Sequence, residues 1–290
     1  MSQELRAEFV PANGLKLHCV SAGAGPLRLF LHGFPEFWYA WTRQLREFGR
    51  DGLAVAPDLR GYNLSDKPAN LDQYRSRHLV EDVRALADFY SPQRRFTLVG
   101  HDWGGAVAWA FAIRHPHLLE RLIIINAPHP GVFAQLLAHD PRQQQASAYM
   151  AMFRRPESEY RLAADGFAPL FERVMGDGLE SGAFTAQDRQ AYVAAWSQPG
   201  ALRAALNYYR ANPLPPGPGD PAPDAAALQV KVPTLVLWGE ADKALTVANL
   251  DGLERYVADL TVRRLPRASH WVVHEQPAWI NACIREFIGR

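Results

Sequence analysis

Gly100-His101-Asp102-Trp103-Gly104-Gly105 follows a short apolar run at residues 96–99 and precedes an alanine-rich segment that is typical of a helix. A strand, a sharp turn and a helix in this order are the context of a nucleophile elbow, whose usual layout is G-x-S-x-G. Glycines let neighbouring backbone come close, and the central side chain is exposed at the top of the sheet. Because Asp102 stands where serine is usual, the motif predicts a carboxylate nucleophile that forms an ester with a substrate carbon.

Asp102 has an alternative interpretation as a helix cap. An aspartate after a strand often accepts hydrogen bonds from the amides of the first helical turn. The glycines on both sides of Asp102 and the candidate partners further along the chain favour the nucleophile.

Length and composition indicate one large α/β domain, or a core with an inserted subdomain. The chain has 290 residues, of which 48% are hydrophobic, and a formal net charge of +1. This balance argues against a nucleic-acid surface, which needs a basic stripe. No apolar stretch approaches the length that spans a membrane, and the first residues do not have the pattern of a signal peptide.

The two cysteines, Cys19 and Cys283, indicate no disulfide framework. We therefore expect a cytoplasmic protein without nucleic-acid or membrane partners. The oligomeric state stays open between a monomer and a homodimer, since no heptad pattern or apolar strip stands out.

Short apolar runs alternate with helical patterns up to residue 126 and again after residue 233. The predicted strands are Leu15–Val20, Leu27–Leu31, Leu53–Pro57, Phe96–Val99, Leu122–Asn126, Thr234–Trp238 and Thr261–Leu265. The predicted helices between them are Trp38–Gly49, Arg77–Tyr90, Trp103–His115, Val247–Val257 and Pro277–Ile288. Alternation of this kind predicts βαβ units and a largely parallel sheet.

Residues 132–210 show helical periodicity and no convincing buried strand. A proline-rich stretch at residues 212–221 follows, which is incompatible with a helix or a central strand. We therefore predict a discontinuous core at residues 1–130 and 225–290. An all-helical cap at residues 131–224 is expected to lie over its catalytic face.

An ester on Asp102 needs a base that activates water and an acid that orients the base. Asp242 and His270 each follow a predicted strand, at the edge where open α/β sheets place their sites. The chain order of nucleophile, acid and histidine is the one expected with a nucleophile elbow. Glu240 is a weaker candidate for the acid. His274 is a weaker candidate for the base, because its position four residues later points it elsewhere.

The loop Leu31-His32-Gly33-Phe34-Pro35 comes directly after a predicted strand. A loop in this position donates one backbone N–H to an oxyanion hole, and the residue after the nucleophile donates the other. The sequence therefore predicts that the amides of Phe34 and Trp103 form this hole, with their side chains available as pocket walls.

These motifs resemble those of the soluble epoxide hydrolases in the α/β-hydrolase superfamily, and they extend over nearly the whole chain. The motifs that carry the resemblance are His32-Gly33-Phe34-Pro35-Glu36, Asp58-Leu59-Arg60-Gly61-Tyr62, Gly100-His101-Asp102-Trp103-Gly104-Gly105, Asn126-Ala127-Pro128-His129-Pro130 and Ser269-His270-Trp271. The resemblance implies the α/β-hydrolase fold, a mostly parallel sheet flanked by helices with an inserted all-helical cap. It also implies a catalytic triad of Asp102, His270 and Asp242, and a cis peptide bond between Phe34 and Pro35.

The resemblance further implies two cap tyrosines that hold and protonate the oxygen of an epoxide ring. Family members carry one tyrosine seven residues before a proline, a spacing that fits Tyr149 and Pro156. The second lies in an Asn-aromatic-Tyr-Arg sequence, which fits Tyr209. We therefore expect an epoxide hydrolase that converts a small-molecule epoxide and water to a vicinal diol, with no metal or organic cofactor.

Other functions remain open. Haloalkane and haloacetate dehalogenases use the same Asp nucleophile, but the haloalkane enzymes have Asn or Glu in place of Phe34. Fluoroacetate dehalogenases usually carry arginine where Trp103 stands. A non-catalytic small-molecule receptor on a hydrolase fold is a third reading, which the full set of catalytic residues disfavours.

Two positions depart from the family pattern. Arg154 stands where family caps usually have glutamine, which is expected to alter the edge of the cap or its charge. Asn63 stands where glycine is usual, and asparagine tolerates a left-handed backbone better than most residues.

Overall fold

The computed structural model describes residues 4–212 and 224–289. Within these ranges one sheet contains the strands β1 (Arg6–Ala12), β2 (Leu15–Gly23), β3 (Leu27–Leu31), β4 (Leu53–Pro57), β5 (Phe96–His101), β6 (Leu119–Ile125), β7 (Thr234–Gly239) and β8 (Leu260–Leu265). Their order across the sheet is β1-β2-β4-β3-β5-β6-β7-β8. The strands β3 to β8 are parallel, whereas β1 and β2 are antiparallel to their neighbours. The predicted, largely parallel α/β sheet is thus confirmed.

Helices lie between several of the strands and after the last one. Those before β6 are α1 (Thr42–Phe48), α2 (Ser76–Tyr90) and α3 (Trp103–Arg114). Those between β6 and β7 are α4 (Pro130–His139), α5 (Pro141–Ala146), α6 (Tyr149–Phe153), α7 (Ser158–Val174), α8 (Gly176–Glu180), α9 (Ala186–Trp196) and α10 (Ala201–Ala211). After β8 come α11 (Val272–Glu275) and α12 (Pro277–Ile288). No helix in the described ranges is long and apolar enough to cross a membrane.

The central strands are buried on both faces, as continuous apolar runs in parallel sheets usually are. Successive side chains alternate between two hydrophobic clusters. Leu29 and Leu98 pack in the cluster that includes α2 and α3, whereas Phe30 and Val99 pack in the cluster that includes α1 and α12. The helices therefore cover both faces, and only the loops at the strand ends are free to form a site.

The turn between β5 and α3 needs glycine because backbones meet there. A Cβ atom on Gly104 would lie 2.2 Å from the carbonyl oxygen of Leu31, at the end of β3. A Cβ atom on Gly100 would lie 2.5 Å from the carbonyl oxygen of Gly104. No side chain fits at these separations, so the two glycines allow α3 to start directly against β3.

The structure differs from the sequence prediction at one helix and at one strand. The predicted helix Val247–Val257 is wrong: this segment contains two short 3-10 turns, Val247–Leu250 and Leu253–Arg255. Gly252 between them has a left-handed backbone, with φ of 80°, which no continuous helix contains. The strand β1 was not predicted, because only Val10 and Ala12 of its residues are buried and the apolar alternation is weak.

The helices α4 to α10 form a segment that we call the helical insert. In its described part, up to residue 212, no strand occurs, in agreement with the helical periodicity of the sequence. It packs on the loops that follow β3 and β4: the indole N–H of Trp196 donates to the carbonyl of Pro35 at 2.6 Å, and the Tyr208 hydroxyl donates to the carbonyl of Arg60 at 2.9 Å. The proline-rich stretch, apart from Asn212, lies outside the described residues.

Gly104→Ala is expected to lower the free energy of unfolding by about 1–3 kcal/mol, because the added methyl group forces α3 away from β3. Urea unfolding followed by circular dichroism measures this change. Gly176→Ala is the matched control, since a Cβ atom there has no neighbour within 4 Å. Equal stability of the two variants would contradict the close approach at the elbow.

Candidate active site

Three of the predicted residues lie beyond the carboxyl ends of parallel strands. Asp102 follows β5, Asp242 follows β7 and His270 follows β8. Asn126 follows β6, the strand between β5 and β7, and its side chain reaches the same place. The order of the strands thus brings together Asp102 and His270, which are 168 positions apart in the chain (270 − 102).

Asp102 has a backbone that few residues other than glycine adopt, with φ of 50° and ψ of −121°. Its side chain does not cap α3, so the alternative interpretation of Asp102 as a helix cap is wrong. The Oδ1 atom instead accepts a hydrogen bond of 2.7 Å from the amide of Phe34. A Cβ atom on Gly33 would lie 2.4 Å from Asp102 Cβ, so glycine is needed beside the carboxylate.

His270 lies between two carboxylates. Its Nδ1 donates to Asp242 Oδ2 at 2.7 Å, and its Nε2 is 3.7 Å from Asp102 Oδ2. The Asp242 carboxylate is fully buried and holds this orientation, because Asn126 Nδ2 also donates to Oδ2 at 2.8 Å. Because Nδ1 binds Asp242, the other ring nitrogen, Nε2, is the one on the side of Asp102.

Burial and charge have opposite effects on the pKa values of Asp242 and His270. Burial favours the neutral acid, but the positive charge of His270 and the hydrogen bonds to the carboxylate lower the pKa of Asp242. Burial also disfavours the charged imidazolium, yet the attraction of Asp242, with smaller effects of Asp102 and Glu36, raises the pKa of His270 to about 9. His270 is therefore protonated at neutral pH in the free enzyme.

Tyr149 on α6 and Tyr209 on α10 line the same cavities as Asp102, and their ring centroids are 6.2 Å apart. The ring of Tyr209 makes edge contacts with Phe34 at 5.3 Å and with Trp103 at 5.2 Å. Burial and the charge of Asp102 raise the pKa of both phenols. Both hydroxyl groups therefore keep their protons at neutral pH and are available as donors.

Two cavities meet at these side chains. The larger, about 520 Å³, is lined by Asp102, His270 and both tyrosines. The smaller, about 100 Å³, is also lined by Asp102 and both tyrosines, with Trp103 and other largely apolar side chains around it. No group of three or more His, Cys, Asp or Glu side chains in the described parts of the chain is arranged to hold a metal ion.

The weaker sequence candidates have other partners. Glu240 forms an ion pair with Arg264 on β8. His274 Nε2 lies 2.5 Å from Glu36 Oε1.

Sequence reasoning missed the buried network around Glu36. The Tyr192 hydroxyl donates to its Oε1 at 2.9 Å, and His101 Nδ1 is 3.1 Å from its Oε2. Burial raises the pKa of Glu36, but the charge of His274 and the hydrogen bonds from both histidines outweigh it and hold this pKa well below its ordinary value. His101 Nε2 also donates to the carbonyl of His270 at 2.9 Å. A signal for this network was present in the sequence, because Glu36 and His101 are polar residues within the oxyanion-loop motif and the elbow motif, respectively.

The two departures from the family pattern have clear places in the structure. Arg154 Nε donates to the carbonyl of Tyr209 at 3.2 Å, so this side chain contacts the backbone of a candidate residue. Asn63 has a φ of 40°, and its Nδ2 donates to Asp58 Oδ2 at 2.8 Å. The peptide bond between Phe34 and Pro35 is cis, as the resemblance implies.

Comparison with known proteins agrees with this geometry. The sequence matches the family described as alpha/beta hydrolase fold over residues 29–277. It is 38% identical over 288 residues to epoxide hydrolase 4 of Mus musculus, covering 95% of this chain and 77% of that protein. The chain belongs to the epoxide hydrolases of the α/β-hydrolase superfamily.

Two further proteins are similar over nearly their whole length. The chain is 39% identical to the AB hydrolase superfamily protein YfhM of Bacillus subtilis, with 98% of each chain covered. It matches the crystal structure of the Bacillus megaterium epoxide hydrolase in complex with an inhibitor with a TM-score of 0.91 and 38% identity, covering 98% of this chain and 100% of that one. The α/β-hydrolase fold predicted from the motifs is confirmed.

Asp242→Asn is expected to lower the pKa of His270 from about 9 by about one to three units, because burial then acts against a smaller attraction. NMR of ¹⁵N-labelled histidine measures this pKa, with the His270 signals assigned from their loss in His270→Gln. Glu240→Gln is the matched control and leaves the titration unchanged. An unaltered titration in Asp242→Asn would show that Asp242 does not set the charge of His270.

Proposed function

We propose that this protein hydrolyses epoxides to vicinal diols through an ester on Asp102. The observation that carries the proposal is that one cavity is lined both by the Asp102 carboxylate and by two protonated phenols, Tyr149 and Tyr209. The carboxylate by itself indicates only that a carbon atom is attacked and does not specify the leaving group. Two donors in the same cavity suit a leaving oxygen that stays on the substrate, and membership of the epoxide hydrolases supports the same reaction.

In the first step, Asp102 Oδ2 attacks one carbon of the epoxide ring, and the bond from that carbon to the ring oxygen breaks. Tyr149 and Tyr209 donate hydrogen bonds to that oxygen and supply its proton, because an alkoxide is more basic than a phenolate. Oδ2 is assigned as the nucleophile because Oδ1 accepts the Phe34 amide. The product of this step is a hydroxyalkyl ester of Asp102.

In the second step, His270 takes a proton from water, and the resulting hydroxide attacks the ester carbonyl of Asp102. Negative charge develops on Oδ1, where the amides of Phe34 and Trp103 stabilise it. The tetrahedral intermediate then collapses with cleavage of its bond to the diol oxygen, which takes the proton of the added hydroxyl group. The diol leaves and the Asp102 carboxylate is regenerated, with the proton taken from water held on His270. Asp242 holds the ring of His270 and stabilises its positive charge during the transfer.

The charge of Asp102 couples the two steps. In the free enzyme the Asp102 carboxylate helps to raise the pKa of His270. The ester has no charge, so this contribution disappears when the first step is complete, and the pKa of His270 falls. The proton that His270 then releases replaces, through solvent, the proton that the phenols gave to the ring oxygen. The phenolate is thereby neutralised, and His270 becomes a base only after the intermediate has formed.

We also propose that the helical insert, with boundaries near residues 131 and 224, is a cap on the core. It supplies Tyr149 and Tyr209, whereas Asp102, Asp242 and His270 come from the loops of the core. A substrate bound between these two parts is shielded from bulk water, which strengthens each electrostatic contact with the leaving oxygen.

Dehalogenation is the less suitable alternative. A halide ion carries no proton and does not need two phenols. A haloacid would also meet negative charge in the larger cavity, because Glu172, Asp177 and Glu180 are among the residues that line it, together with Lys243. Lys243 is already paired with Asp177.

The purified protein is expected to convert aryl and aliphatic epoxides to diols, measured by chromatography. Haloalkanes and fluoroacetate, assayed by halide release, are expected to give no turnover. Asp102→Ala is the control for each reaction. Halide release without diol formation would refute the proposal in favour of a dehalogenase.

His270→Gln is expected to accumulate the ester, because ring opening does not require His270 but hydrolysis does. Intact-protein mass spectrometry then detects an increase equal to the full mass of the epoxide. In the same background, phenylalanine at both Tyr149 and Tyr209 is expected to slow adduct formation by at least about 100-fold. Tyr160→Phe is the matched control, since Tyr160 is 83% exposed. An adduct formed at full rate without the two phenols would rule out their role.

A further inference from the structure

The Gln143 side chain lies at the junction between the helical insert and the loop that carries Asp242. Gln143 is on α5 and is fully buried. Its Nε2 donates to the carbonyl of Ala244 at 2.9 Å, and its Oε1 accepts from the amide of Thr246 at 2.9 Å. These two bonds hold the backbone on both sides of residue 245.

The same loop closes on the catalytic acid. The amides of Ala244 and Leu245 donate to Asp242 Oδ1 at 2.8 and 2.9 Å. Asp242 Oδ2 is thereby aimed at His270 Nδ1. Gln143 thus holds the residues whose amides bind Asp242, while the hydrogen bonds of its own side chain go to Ser147, Ala244, Thr246 and Asn249.

Gln143 also contacts the part of the insert that leads to Tyr149. Its Nε2 donates to Ser147 Oγ at 2.8 Å. The carbonyl of Ser147 accepts the amide of Met150 at 3.0 Å, in the first turn of α6. One buried carboxamide therefore joins the segment that starts with Ser147 to the loop that follows Asp242.

Only a carboxamide satisfies this position. The Oε1 atom faces three donors, since the Thr246 hydroxyl and Asn249 Nδ2 reach it at 2.9 and 2.8 Å in addition to the Thr246 amide. The Nε2 atom faces acceptors. A leucine here leaves these buried groups without partners, and a glutamate places a charge against the carbonyl of Ala244.

We propose that Gln143 is a positioning residue that sets the placement of Asp242 and of Tyr149 relative to each other, so that one side chain controls both chemical steps. The inference rests on the proposed function for the role of Tyr149. It rests on the hydrogen bonds alone for the placement of Asp242.

The test compares Gln143→Leu with Gln145→Leu, the same substitution at an exposed position of the same helix. The charged groups that act on His270 are Asp242, Asp102 and Glu36, and only Asp242 lies in the loop that Gln143 holds. Gln143→Leu is therefore expected to lower the pKa of His270 by about one unit in the NMR titration, and Gln145→Leu leaves it unchanged. Turnover of an epoxide is expected to fall by about 10- to 100-fold in Gln143→Leu.

Ser147→Ala separates the two effects. It removes only the bond toward α6, so in the His270→Gln background it is expected to slow ester formation by about tenfold. On its own, Ser147→Ala leaves the pKa of His270 unchanged. A shift of this pKa in Ser147→Ala would overturn the assignment of separate contacts.

Thr246→Val keeps the volume of the side chain and removes one bond to Oε1, so it tests the inference if Gln143→Leu does not fold. It is expected to move the pKa of His270 in the same direction by a smaller amount. If the protein turns over no epoxide, the proposed function fails, but the titration still tests Gln143. An unchanged pKa of His270 in a folded Gln143→Leu, or in Thr246→Val, overturns the positioning role itself.

Discussion

The hydrogen bond from the Phe34 amide to Asp102 Oδ1, 2.7 Å long, is the contact on which the rest of the site depends. It forms only because Gly33 has no Cβ atom and because Asp102 accepts a φ of 50°. Such a backbone costs about 1–3 kcal/mol, which the surrounding packing must offset. The close contact of α3 with β3 at Gly104 keeps the turn in this shape. The carboxylate is thereby held with one oxygen bound and the other directed at His270.

Two sets of buried polar groups lie on either side of His270. On one side Asp242 holds Nδ1, and its other oxygen is bound by the amides of the loop that Gln143 contacts. On the other side His101 donates to the carbonyl of His270 and contacts Glu36. Buried polar groups of this kind are stable only when each has its partner, so the ring of His270 has little freedom to move. The proposed role of His270 as a base requires such restraint, because its Nε2 must stay beside Asp102, whose Oδ2 is 3.7 Å away.

The core and the helical insert contribute different parts of the proposed reaction. A carboxylate, a histidine and an oxyanion hole perform ester chemistry on several kinds of substrate. In the proposed reaction, the phenols of the insert determine which leaving group is stabilised. The contacts of Trp196 and Tyr208 with the loops after β3 and β4, together with those of Gln143, keep the insert in register with the core. The chemistry and its selectivity are therefore joined by a few buried hydrogen bonds.

The sequence by itself determined the sheet, the elbow and the candidate residues, because apolar runs, glycines and motif spacing are local properties that each segment carries alone. The predicted helix Val247–Val257 was wrong for the same reason: the local pattern of this segment suits a helix, but Gly252 takes a left-handed backbone in the folded chain. Only the tertiary structure decided that Asp102 does not cap α3, that His274 contacts Glu36, and that Gln143 joins Ser147 to Ala244. These facts depend on contacts between residues far apart in the chain, and the direction of a buried side chain is set by the donors and acceptors that surround it.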